Sequence, residues 1–85
     1  TKMQVHIAEI DGQEAVIAVK DAVYDGDMVL AEITRLRTED PTVEHAIDEL
    51  RETAKEVGGD IVKKGDDQIL ITPTGVGISR EKLNR

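Results

Sequence analysis

The stretch from Gly58 to Ser79 constrains this chain more than any other. Gly58-Gly59 stops whatever helix precedes it, Asp60–Lys64 and Gln68–Pro73 read as strands, and Gly65-Asp66-Asp67 joins them as a hairpin turn. Side chains alternate along a strand, so Ile69 and Ile71 point to one face while Leu70 and Thr72 point to the other. A strand that is apolar on both faces needs cover on both. A chain of 85 residues buries only a little over roughly 60% of its unfolded surface. It can barely supply that cover alone, and the hairpin therefore points towards a partner.

The elements before the hairpin follow from periodicity. Met3–Ile10 reads as a strand closed by the Asp11-Gly12 turn. Gln13–Tyr24 fits a helix, because Ala15, Val16, Val19, Ala22 and Val23 recur at helical spacing, and Asp25-Gly26-Asp27 ends it. Met28–Leu36 reads as a central strand, apolar at both parities except at Glu32. Asp40-Pro41 then opens a second helix with a capping carboxylate and a first-turn proline. Val43, Ala46, Ile47, Leu50, Ala54 and Val57 give that helix one apolar stripe. Ser79 is placed to cap a short terminal turn through Leu83.

The order strand, helix, strand, helix, strand, strand predicts one domain over residues 1–85. Its class is an α/β (α+β) two-layer sandwich, with two helices packed on one mixed sheet. Strand–helix–strand crossovers are nearly always right-handed, so crossovers that move the same way put both helices on one face. The other face is then bare although apolar, a condition unusual for a monomer. Dimerisation through that face or through the hairpin is expected, with Leu30, Ile61, Val62 and Leu70 as the interface.

Composition excludes several functions. Eighteen acidic residues against eleven basic ones leave a net charge of −7, which opposes binding to nucleic acid phosphates. Tyr24 is the sole aromatic residue, so base stacking is excluded as well. Without cysteine there is no disulfide, no thiolate nucleophile and no ordinary zinc site. No apolar run is long enough to span a bilayer, and a cytoplasmic location is expected. The acidic surface also suits a salt-rich cytoplasm, where charge repulsion is screened within about 3 Å at 1 M salt.

Residues with possible chemistry read mostly as structural. His45 with Asp48 or Glu49 has metal-compatible helical spacing, yet a solvated helix face looks the same. Asp25-Gly26-Asp27 and Asp66-Asp67 lack the spacing of a calcium loop and read as turns. Thr74–Ser79 lacks the third glycine of a dinucleotide loop and the Gly-Lys-Ser/Thr ending of a phosphate loop. No catalytic set, cofactor or metal is expected. Lys63-Lys64 is the one adjacent basic pair in an acidic second half. It reads either as edge-strand protection or as a docking point for an acidic peptide, seated against Ile69 or Ile71.

Val57–Pro73, with its glycine pair, its hairpin and its Ile-Leu-Ile-Thr-Pro ending, resembles the C-terminal signature of the SepF family. His6–Ile10 and Lys20–Asp27 are similar to its haloarchaeal members, and the resemblance runs from about Val5 to Leu83. It implies a non-enzymatic cell-division adaptor that tethers the tubulin-like polymer FtsZ to the membrane at the division site. It further implies a dimeric core that binds the FtsZ C-terminal tail, with membrane attachment through an N-terminal amphipathic helix and linker outside this core. By position the family's basic and hydrophobic tail contacts correspond to Lys63 and Ile69. Lys64 and Ile71 are expected to complete the tail site, supported from behind by Leu50 and Val57. A different reading of the same element order is a small dimeric ligand-binding regulatory domain of ferredoxin-like type, holding a metabolite through Gly75–Ser79.

Overall fold

A computed structural model describes residues 2–33, 41–65, 67–81 and 83, without the side chains of 41–43. Six elements follow in chain order: β1 (Val5–Glu9), α1 (Gln13–Tyr24), β2 (Met28–Glu32), α2 (Pro41–Val57), β3 (Ile61–Lys64) and β4 (Gln68–Ile71). Both helices match the sequence expectation end to end. The strands are shorter at their ends than the apolar runs suggested. Thr34–Leu36, the Asp40 cap, the Val43 side chain and the Asp66 turn residue lie outside what is described.

The strands form one mixed sheet in the order β1-β2-β4-β3. β1 runs parallel to β2, while β4 runs antiparallel to both β2 and β3. The hairpin thus inserts β4 between β2 and β3, and the connection through α2 skips one position. α1 packs on β1 and β2, α2 packs on β3, and the helices touch each other. This is the two-layer α+β sandwich that the order of elements predicts.

Register decides which side chains the helices cover. Val29 and Ala31 on β2 share a face with Ile69 and Ile71 on β4 and with Ala8 on β1. These meet Val16, Val19 and Val23 of α1 and Ala46, Ile47, Leu50 and Ala54 of α2 in a single core. Fully burying each of the larger residues is worth about 1.5–3 kcal/mol.

α2 ends in a Schellman motif. Gly58 takes φ +75°, its N–H donates to Lys55 O (3.3 Å), and the Gly59 N–H donates to Ala54 O (2.9 Å). Gly59 is then pressed against the far end of the hairpin, where a β-carbon would stand 2.1 Å from Thr72 O and 2.8 Å from Pro73 O. No side chain fits there. Thr72 in turn clasps Asp60: its N–H donates to Asp60 O (2.9 Å) and its hydroxyl accepts the Asp60 N–H (2.8 Å). The glycine pair and the Thr-Pro ending are therefore two halves of one interlock.

Gly59→Ala should cost about 3 kcal/mol or more, because the obstruction is backbone rather than a movable side chain. Gly77→Ala, where nothing lies within 4 Å of the added carbon, should stay within about 0.5 kcal/mol of the parent. Urea titration of the two variants checks both values.

Candidate functional site

The helix-free face of the sheet is apolar along its whole width. Ile7 pairs with Leu30, Leu30 with Leu70, and Leu70 with Val62, giving one cross-strand row from edge to edge. Val5 and Met28 form a second row beside it. Ile7 is 69% exposed and Val5 is 58% exposed, while Met28, Leu30, Leu70 and Val62 are half-buried. Solvent is left facing a contiguous hydrophobic stripe on a chain of 85 residues.

Three of the four residues expected at a dimer interface, Leu30, Val62 and Leu70, share this stripe. Ile61 does not. It pairs with Ile71 and packs against the core from the helix side. The stripe also gains Val5, Ile7 and Met28, which sequence reasoning did not select. The alternating pattern of β1 was the available signal for Val5 and Ile7.

The expected tail site divides in the same way. Ile69 and Ile71 are 1% and 0% exposed; they build the core and offer nothing to a partner. The cause is register, since the parity of β4 that holds these two residues is the one the helices cover. Lys63 and Lys64 are exposed at the edge of β3. They point to opposite faces, Lys63 with Ile69 towards the helices and Lys64 with Gln68 towards the open face. The half-buried apolar residues near Lys63 are Ile61 on the same face of β3 and Val57 at the end of α2, both packed on the core. Leu50 is fully buried beneath them.

The start of β3 carries a polar cluster that sequence reasoning missed. The Asp60 carboxylate accepts N–H bonds from Ile61 (2.8 Å) and Ile78 (3.0 Å). It also takes both terminal nitrogens of Arg80, each at 3.2 Å. Arg80 additionally donates to Ile78 O (2.9 Å) and Ile61 O (3.4 Å), and the Thr72 hydroxyl donates to Val76 O. Residues 74–80 are thereby strapped along the beginning of β3. The Arg80 bond first, then the two backbone N–H bonds, lower the Asp60 pKa to about 2.

The strap also answers the metabolite reading. The Gly75 N–H donates to Gly58 O, the Val76 N–H to Pro73 O and the Ile78 N–H to Asp60, so these groups serve the fold rather than a bound anion. Ser79 Oγ accepts the Glu81 N–H (3.2 Å), the bond expected of a residue that caps a turn, and no helix follows among the described residues. His45 is exposed on α2 beside Asp48, Glu49 and Glu52. Among the described residues no group of three or more His, Asp or Glu converges as a metal site would require. His6 instead donates through Nε2 to Asp27 Oδ2 (2.9 Å), and Asp27 Oδ1 accepts the Gln4 N–H (3.1 Å). The His6 bond, followed by that of Gln4, holds the Asp27 carboxyl below its usual range. This ties the turn after α1 to the beginning of β1.

A two-layer sandwich with one uncovered apolar sheet face and a basic edge strand has the surfaces of a recognition module. Residues 5–78 match the model of the family described as cell division protein SepF. The chain belongs to that family, and thus to a family of cell-division proteins. It is 68% identical over 82 residues to the cell division protein SepF of Haloferax volcanii, covering 96% of this chain and 70% of that protein. The structure of a SepF-like protein from Archaeoglobus fulgidus is 34% identical with a TM-score of 0.91, covering 98% of this chain and 100% of that one. SepF from Methanobrevibacter smithii, solved in complex with FtsZ-CTD, shares the fold at 18% identity and a TM-score of 0.77, covering 92% of this chain and 99% of that one.

Asp60 sets an expectation for acid stability. Its folded pKa of about 2 lies below the ordinary carboxylate value of 3.8. The stabilisation is therefore complete above pH 3.8 and is lost as pH falls towards 2. Asp60→Asn should melt below the parent at pH 6, and the gap between the two melting temperatures should close between about pH 4 and pH 2. Thermal melts across that range check it; a constant gap would mean that the carboxylate charge is not what holds the strap.

Proposed function

We propose that two copies of this chain pair through the open sheet face, and that the resulting core binds the C-terminal tail of FtsZ beside β3. As a division adaptor it would link that polymer to the inner face of the cell membrane at the division site. Membrane attachment would run through a segment N-terminal to this fold. None of the described helices is long and apolar enough to cross a bilayer.

The observation that carries the partner is the fold shared with the Methanobrevibacter smithii protein, solved in complex with FtsZ-CTD, taken with membership of the same family. Lys63 and Lys64 suit an acidic tail, because they are exposed cations on an edge strand in a chain of net charge −7. The apolar part of the seat shifts from Ile69 and Ile71 to half-buried Ile61 and Val57. A tail lying along β3 would meet Lys63 and Ile61 on one face and Lys64 on the other.

The pairing surface rests on the row Ile7–Leu30–Leu70–Val62. A twin laid over it would remove those side chains from water at about 25 cal/mol per Å² of apolar area.

Two measurements test these readings separately. Lys63→Glu/Lys64→Glu should weaken binding of an FtsZ tail peptide by at least about tenfold in calorimetric titration, a loss of about 1.4 kcal/mol, with the dimer intact. Unchanged affinity would remove the lysines from the site. Leu30→Lys, at the centre of the row, should halve the particle mass in sedimentation equilibrium while the circular dichroism spectrum stays that of the parent. A variant that stays dimeric would place the pairing surface elsewhere.

A further inference from the structure

The sheet has two edges, and only one carries lysines. β3 carries Lys63 and Lys64, and the strap lies against its beginning, with Arg80 donating to Ile61 O. β1 contains neither lysine nor proline, the residues that natural edges use against strand addition. Its ladder phase is fixed at both ends: Met28 N–H donates to Gln4 O and Ile10 N–H donates to Glu32 O. In a parallel pair, alternate residues bond to the neighbouring strand. His6 and Ala8 therefore bond inward to β2, and the N–H and C=O groups of Val5 and Ile7 point away from the sheet.

Beside this edge a groove of about 610 Å³ runs between β1 and α1. Ala18 and Ala22, one helical turn apart on α1, keep it open, and Ala8 lines it from the strand. Asp21 and Asp25 stand exposed on it, whereas Asp27 is already engaged by His6. Among the described residues no lysine or arginine lines the groove. The opposite face of the same strand presents exposed Val5 and Ile7.

We propose that β1 accepts an extended cationic peptide as a fifth strand of the sheet. Its side chains would alternate, basic on the helix side and apolar on the open side. An added strand lies about 4.8 Å beyond β1, with its main chain bonded to Val5 and Ile7. On the helix side its residues pass over Ala18 and Ala22, within reach of Asp21 and Asp25. On the open side they continue the row that starts at Ile7. Main-chain bonds supply affinity in this mode, and alternate pockets supply specificity. A second copy of this chain is the poorer occupant, since pairing β1 with β1 would bring two sets of these carboxylates together. The site lies at the far edge from Lys63 and prefers the opposite charge. It is thus a second docking surface, independent of the FtsZ-tail reading.

The test uses a synthetic peptide of alternating lysine and valine, a fully N-methylated version that cannot pair with an edge, and an alternating glutamate–valine peptide. Hydrogen exchange should show the Val5 and Ile7 amides protected by the lysine peptide at least about tenfold, and by neither control. Ile7→Pro removes an outward N–H, which an edge strand tolerates, and should abolish peptide binding while the circular dichroism spectrum stays that of the parent. Asp21→Lys/Asp25→Lys, at exposed helix and turn positions, should lower affinity at least about tenfold and covers the case in which the proline variant does not fold. Equal binding of the N-methylated peptide, protection elsewhere in the sheet, or no binding at all would overturn the proposal. So would protection of Ile7 that rises with protein concentration alone in the Leu30→Lys background, where pairing through the open face is broken, because it would identify a second copy as the occupant.

Discussion

Two helices can cover one face of a four-stranded sheet and no more. Four strands at about 4.8 Å spacing span roughly 19 Å, close to the width of two helices of about 10 Å lying side by side. The match is why this short chain folds: α1 and α2 together bury the β2 and β4 side chains Val29, Ala31, Ile69 and Ile71 on one sheet face. The same arithmetic leaves nothing for the other face. Every large side chain that reaches full burial within a strand, Val29, Ile69 and Ile71, belongs to the covered side. Leu30 and Leu70, one residue along on the same strands, do not reach it. Sidedness of burial leaves the open face as the one available for pairing.

The interlock at the end of α2 sets how the edge of that sheet is presented. Gly59 lets the helix terminus close on the Thr72-Pro73 backbone, and Asp60 gathers Ile61, Ile78 and Arg80 around one carboxylate. The strap this creates covers the first residue of β3 and stops short of Lys63. What remains accessible on that edge is a short basic segment with a half-buried isoleucine behind it. Structural residues thus determine the extent of the exposed surface without themselves taking part in recognition.

Helices were the legible part of this sequence, because a 3.6-residue stripe and the Gly58 stop speak in absolute terms about one segment. Strand parity speaks only in relative terms. Ile69 and Leu70 are both apolar, so their order showed that they face opposite ways and not which of them the helices would cover. That depends on β4 lying between β2 and β3, a long-range fact carried by no local pattern. The same ambiguity led Ile61 to be grouped with Val62 and Leu70, although adjacent strand residues cannot share a face. The Asp60–Arg80 pair, 20 residues apart in sequence, left no periodic trace. Its only hint was that Gly-Gly-Asp and Thr-Pro occur together.

The charge distribution bears on how an acidic tail could approach a chain of net charge −7. In dilute buffer the Debye length of about 10 Å lets the whole carboxylate surface repel such a tail. At about 1 M salt that range falls to about 3 Å, and only charges at contact distance still act. Cations already paired then matter little to a newcomer: Lys20 sits 3.5 Å from Glu49, and Arg80 holds Asp60. Lys63 and Lys64 meet no carboxylate among the described residues. Concentrated salt therefore removes the repulsion and leaves these two lysines as the local electrostatic preference. On the proposed tail reading, a surface poorly suited to an acidic partner in dilute buffer opposes it less in the salt-rich surroundings that its composition fits.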